Sequence, residues 1–112
     1  MLQTLVLITS PPYSPQAQRA LILAAALRTR GIAVGVVLLQ DAVFAAVPPN
    51  APPAAATIDA LLSNAVPVYV AEHDLRLRGF SAVGLPAGVQ PVDDRRIVDL
   101  VMTDNTRALG CF

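Results

Sequence analysis

Two apolar runs of equal length, Leu2 to Thr9 and Ile32 to Leu39, stand on either side of a segment composed as a helix. Neither run alternates. LQTLVLIT and IAVGVVLL offer apolar residues to both sides of a strand, whereas a half-buried antiparallel strand alternates apolar with polar. Such strands need cover on both faces, so the two runs predict central strands of a parallel sheet. Between them, Ser10-Pro11-Pro12-Tyr13-Ser14-Pro15 breaks the first run, and Ser14 followed by Pro15 supplies an N-cap and a first helical residue. Ala17, Ala20, Leu21, Ala24, Ala25 and Leu27 then recur at helical spacing, and Arg28, Arg30 and Gly31 close the segment. Strand, helix, strand is a βαβ unit, and its crossover should be right-handed.

The rest of the chain repeats the alternation. Asp41 is placed to cap a short helical turn through Val43, Phe44 and Ala46. The four prolines between Val47 and Pro53 cannot extend that turn, because they remove N–H donors and fix φ, so a surface loop follows. Ala54 to Ala65 reads as a second crossover helix with Ile58, Leu61 and Leu62 inward. Pro67 suits the first position of a strand carried by Val68, Tyr69 and Val70. Polarity changes at Glu72: Glu72 and Asp74 place negative charge in the first turn of a short helix, Arg76 and Arg78 positive charge in its last, and Gly79 ends it. Glu72/Arg76 and Asp74/Arg78 are spaced as i,i+4 pairs worth about 0.2–0.5 kcal/mol each. After a Gly- and Pro-containing passage from Phe80 to Gly88, Val89 to Val92 forms a short strand. Asp93 then caps a helix from Asp94 to Asp104 with Ile97, Val98, Val101 and Met102 on one side, and Thr106 to Phe112 is a final edge strand. The fold this predicts is a three-layer α/β/α sandwich around a mostly parallel sheet of about five strands, as one domain over residues 1–112.

Composition narrows the function classes. Hydrophobic residues make up 54% and charged residues 14%, a surplus of apolar surface that suggests a subunit interface in addition to a core. No apolar stretch approaches the ~18–20 residues of a membrane span, and Met1-Leu2-Gln3-Thr4 lacks the basic start of a secretory signal. The expected compartment is the cytoplasm. Net charge is zero and the eight basic residues are all arginine, unclustered beyond Arg95-Arg96, which argues against a nucleic-acid footprint. One cysteine, Cys111, excludes an intrachain disulfide and a multi-cysteine zinc site.

Three places can carry chemistry. The loop with Ser10, Tyr13 and Ser14 meets a helix N-terminus, where free N–H groups favour anions; it lacks the glycines of a phosphate-binding or dinucleotide loop, and ordinary capping also accounts for it. At Glu72, His73 and Asp74, three consecutive polar residues diverge by about 100° each on a helix and so cannot converge on one metal. The carboxylates serve as helix-end charges; His73, the sole histidine, either carries protons or stands at a surface or interface. Cys111 is either an exposed thiol suited to carrying persulfide or a small buried residue of an apolar edge strand, with Arg107 its one basic neighbour. Neither cofactor nor metal is expected.

The run V-Y-V-A-E-H-D-L-R-L-R-G-F at 68–80, followed by G-V-Q-P-V-D at 88–93 and I-V-D-L-V at 97–101, resembles the DsrH/TusB branch of the DsrE/DsrF/DsrH-like sulfur-relay proteins. Leu39 to Ala46 is similar to that branch's second strand end and following turn. The resemblance rests on pattern and spacing over most of the chain. It implies a small cytoplasmic DsrE-like α/β domain that assembles with itself or with DsrE- and DsrF-like subunits, typically as heterohexamers, and that exchanges persulfide sulfur with a carrier protein for tRNA 2-thiouridine synthesis or dissimilatory sulfur oxidation. In the catalytic branch the sulfur-accepting cysteine follows the strand matching Pro67 to Val70. Counted between Pro67 and Gly79, its place falls on Ala71, which has no nucleophile. The resemblance therefore implies a subunit without independent catalysis, whose surface at Ala71, Glu72, His73 and Asp74 meets a partner. Its S-P-P-Y-S-P loop and proline-rich insert depart from the branch, leaving open the exact branch and a homo-oligomer; the residues themselves also leave open a carrier using Cys111, or an anion- or nucleotide-binding module using Ser10, Tyr13 and Ser14.

Overall fold

Gln3–Ile8 (β1) and Ala33–Leu38 (β2) run parallel and in register from Gln3 opposite Ala33 to Ile8 opposite Leu38. In this computed structural model, which describes residues 2–47 and 52–112, they form the middle of a five-stranded, all-parallel sheet. Val68–Ala71 (β3) extends it beyond β2 and Val89–Val92 (β4) beyond β3, while Thr106–Leu109 (β5) lies on the other side of β1. The order is β4-β3-β2-β1-β5.

Right-handed crossovers make that order decide which face each helix takes. The steps β1 to β2, β2 to β3 and β3 to β4 all proceed one way, so Pro15–Thr29 (α1), Pro52–Ser63 (α2) and Glu72–Leu77 (α3) share a face. The step from β4 back to β5 reverses direction and leaves Asp94–Met102 (α4) on the opposite face. Packing follows: Val6, Ile8, Val36, Leu38, Val68 and Val70 meet Leu21, Ala24, Ile58, Leu61 and Leu75 on the first face, while Leu5, Val37, Tyr69 and Val92 meet Ile97, Leu100 and Val101 on the second. Helix α4 covers its face thinly. None of its residues is fully buried, and Val98 and Met102 are 59% and 74% exposed.

Local chemistry sets the boundaries. Ser14 caps α1 as expected, its hydroxyl accepting from the Ala17 N–H at 3.2 Å, and Asp93 caps α4 by accepting from the Arg96 N–H at 2.8 Å. Asp41, by contrast, caps nothing. The 3₁₀ segment Gln40–Ala46 has no side-chain cap at its start, because Gln40 turns the chain with a left-handed φ of 51° and the Asp41 carboxylate goes to Arg78 instead. Residues 48–51 of the expected proline-rich loop lie outside the described residues, and α2 takes in Pro52 and Pro53 as its first positions, where proline is tolerated. Pro91 sits in β4, an edge strand, where a missing N–H does least damage.

The absence of a side chain at Gly35 makes room in the middle of β2. A Cβ there would stand 2.9 Å from Leu5 Cδ2 and 3.6 Å from the Tyr69 ring, both parts of the second-face core. Gly35→Ala is expected to destabilise by about 1–2 kcal/mol, the lower part of the overpacking range because the Leu5 methyl can rotate aside. Urea unfolding checks this; an unchanged midpoint would show that the second face is looser than its burial implies.

The C-terminal strand is shorter than the sequence suggests. β5 ends at Leu109, Gly110 bends the chain, and Phe112 returns to β1 by donating its N–H to the Leu7 carbonyl at 3.0 Å.

Candidate functional site

β3 enters the core with all four residues buried and delivers Ala71, 1% exposed, to the carboxyl edge of the sheet. Ala71 is also the residue from which α3 starts, and it contributes no capping side chain. A six-residue helix has little stability of its own, since nucleation is costly and short helices depend on packing. Here Leu75, 0% exposed, anchors it to the first-face core, and Phe80 folds back by donating its N–H to the Leu75 carbonyl while its ring meets Phe44 edge-on at 5.8 Å.

The polar residues of the corner separate into two roles. Asp74 faces inward across the sheet edge: its Oδ2 accepts from the Gln40 N–H at 2.8 Å, holding the strained turn after β2. Arg78 completes the tie, its guanidinium bonding Asp41 Oδ1 through Nε at 3.0 Å and Nη2 at 2.9 Å and the Asp74 carbonyl through Nη1 at 3.2 Å. The Arg78–Asp74 carboxylate separation is 3.8 Å, so the anticipated i,i+4 pair is the weaker part of this network. Glu72 and Arg76 form no ion pair. Glu72 is half-buried and His73 exposed. Glu72 and His73 thus present an outward surface, while Ala71, expected to share it, is buried at the strand end and Asp74 is committed to structure. Among the described residues no group of histidine, cysteine and carboxylate side chains is arranged to hold a metal.

The other sequence candidates gather elsewhere, at the carboxyl end of β1 and β5, where the direction of strand connection reverses. Such a reversal point is where open α/β sheets offer a crevice. This one is filled from within the chain. The Phe112 oxygen accepts from the Thr9 N–H at 2.7 Å, the Ser10 N–H at 3.0 Å and the Thr9 hydroxyl at 3.1 Å. Ser14 is also occupied, donating its hydroxyl to the Pro11 carbonyl at 2.7 Å while capping α1. Tyr13 is 73% exposed. Cys111 lies beside this crevice and is exposed, which corrects the reading of it as a buried residue of an apolar strand: the strand stops two residues earlier. From β3 to β5 are three strand spacings, roughly 14 Å at ~4.8 Å each, and no hydrogen bond joins His73 to Cys111. The histidine and the thiol therefore belong to separate surfaces of one protomer.

Comparison with known proteins places this fold in a family. The sequence model of the DsrH-like protein family matches residues 13–107, from the loop before α1 to the start of β5. The chain belongs to the DsrH-like family. This DsrH-like chain also resembles in fold the crystal structure of the YchN protein from E. coli, with a TM-score of 0.83 at 22% identity over 97% of this chain and 100% of that one. No curated protein sequence matches it. Family membership gives this DsrH-like protein a role of sulfur-relay type. No helix among the described residues is long and apolar enough to cross a membrane.

Proposed function

We propose that this DsrH-like chain is a non-catalytic subunit of a persulfide-transfer assembly, a scaffold that presents its β3 corner to a catalytic, cysteine-bearing partner. The observation that carries the reading is Ala71. The corner has the construction of a reacting one, with a strand end, a tight turn and a rigidly anchored helix, yet its first residue offers a methyl group and is 1% exposed. A sulfur-accepting step needs a thiolate there. Support for assembly comes from apolar side chains left in solvent: Leu77 on α3 is 68% exposed and Val83 90%, in addition to Val98 and Met102 on α4. Val98 and Met102, one helical turn apart on α4, leave neighbouring apolar side chains open to a partner.

Co-purification of the tagged full-length chain from its native host tests this. The expected result is an oligomer retaining a DsrE-type subunit with a cysteine after its third strand; a monomer that recovers no such subunit would overturn it.

A second reading is favoured by one specific observation, the exposure of Cys111. As a carrier, its thiolate would attack the terminal sulfur of a donor persulfide, forming a new S–S bond while the donor's thiolate leaves, with no net oxidation. Intact-mass measurement after incubation with a persulfide donor decides: a gain of about 32 Da, one sulfur atom, that vanishes in Cys111→Ser supports the carrier, and its absence removes it.

A further inference from the structure

At the opposite end of the sheet from both surfaces, the amino ends of β1 and β5 and the C-terminal end of α1 enclose a half-open groove of about 420 Å³. Its position follows from the topology. α1 lies over β1 and β2, and β5, added on the far side of β1, has no helix above it on that face. Thr4 and Arg107 are register partners on neighbouring parallel strands, so both side chains project to this face, as do Val6 and its partner Leu109. Leu2, Leu27, Ile32 and Leu109 supply an apolar lining around them.

Two polar groups in this lining lack partners. Thr4 is 5% exposed and is the one buried polar residue among those described, yet its hydroxyl makes no hydrogen bond. A buried hydroxyl without a partner is destabilising, so its presence on a face where β1, β2 and β3 otherwise bury valine, leucine and isoleucine calls for something to bond it. Arg107, directly beside it, enters no ion pair, and no lining residue is acidic. A guanidinium, an adjacent hydroxyl and an aliphatic wall are complementary to an anion carrying an apolar tail. The volume lies within the range of small-molecule sites.

We propose that this groove binds a small aliphatic monocarboxylate, its carboxylate held by Arg107 and the Thr4 hydroxyl and its chain laid against Leu27 and Ile32. The carboxylate accepts from both groups, which satisfies the Thr4 donor and neutralises the guanidinium in a geometry arginine favours. This site is independent of sulfur transfer and of the β3 corner, and its occupancy is read without any partner subunit.

Octanoate is the probe, titrated at pH 7 into the full chain by calorimetry and by NMR, with octylamine as the cationic counterpart of equal length. Saturable binding of octanoate is expected, with shifts centred on Thr4, Leu27, Ile32 and Arg107 and none of comparable size at Ala71 or Cys111. Arg107→Met, at an exposed position, should keep the fold and weaken binding at least about tenfold; Thr4→Val should weaken it about two- to tenfold. Absence of saturation, equal binding of octylamine, or unchanged affinity in Arg107→Met would each overturn the proposal, the last two by showing adsorption to apolar surface alone.

Discussion

Leu75→Ala is expected to destabilise the protein by about 2–5 kcal/mol and to release α3 from the sheet before the remainder unfolds. The size follows from complete burial: Leu75 is 0% exposed and packs within the first-face core, so truncation removes apolar contacts and leaves a cavity under a helix of six residues. Arg78→Ala is the informative comparison. It removes the bonds to Asp41 and to the Asp74 carbonyl, but the guanidinium side chain is 23% exposed and the Asp41 side chain 52%, so screening by water holds the loss to about 1 kcal/mol. If packing anchors the corner, urea unfolding will rank Leu75→Ala well above Arg78→Ala, and amide exchange in Leu75→Ala will rise first across residues 72–80. The reverse ranking would mean that the polar ties hold the corner, and that the surface of Glu72 and His73 is set by charge.

That ranking bears on what could be read from the sequence. Local signals were legible because their physics is local. Near-continuous, non-alternating apolar runs marked β1 and β2, Ser14-Pro15 and Asp93 marked two helix starts, and the acid-to-base order of 72–78 marked α3 within one residue of its C-terminal end. The family pattern was legible for the same reason, being a sequence of such elements at fixed spacing. What escaped depends on contacts between distant residues. The Asp41 carboxylate meets an arginine 37 positions on, and the Asp74 carboxylate meets the amide of Gln40, 34 positions earlier. Nothing in either stretch advertises the other. The side of β1 on which β5 docks is equally non-local, and with it go the Thr4–Arg107 pairing and the groove above it. The last strand was read too long because Leu109, Cys111 and Phe112 carry strand-like composition, whereas the backbone leaves the sheet at Gly110, and of the two readings of Cys111 only the exposed one remains.

Gly110→Ala isolates that last feature. Gly110 has a φ of 137°, and a Cβ at this position would stand 2.5 Å from the Leu7 carbonyl oxygen and 3.1 Å from Leu7 Cβ. The obstacle is the backbone of β1, a strand paired on both sides, so the strand cannot give way and the 110–112 segment must. Its displacement breaks the Phe112 N–H bond to Leu7 and the three bonds that Thr9 and Ser10 make to the Phe112 oxygen. Four bonds at about 0.5–1.5 kcal/mol each, less what the freed donors regain from water, put the expected loss at about 2–4 kcal/mol. Hydrogen exchange should accelerate at Thr9, Ser10 and Phe112 far more than at Val36 or Val37 in the neighbouring strand. The consequence reaches the carrier reading, because the segment that fills the crevice also fixes where Cys111 stands. Faster alkylation of Cys111 in Gly110→Ala, with protection lost at Thr9 and Ser10, would show that the thiol is exposed but held; unchanged exchange at those two amides would show that the segment does not depend on Gly110 for its place against β1.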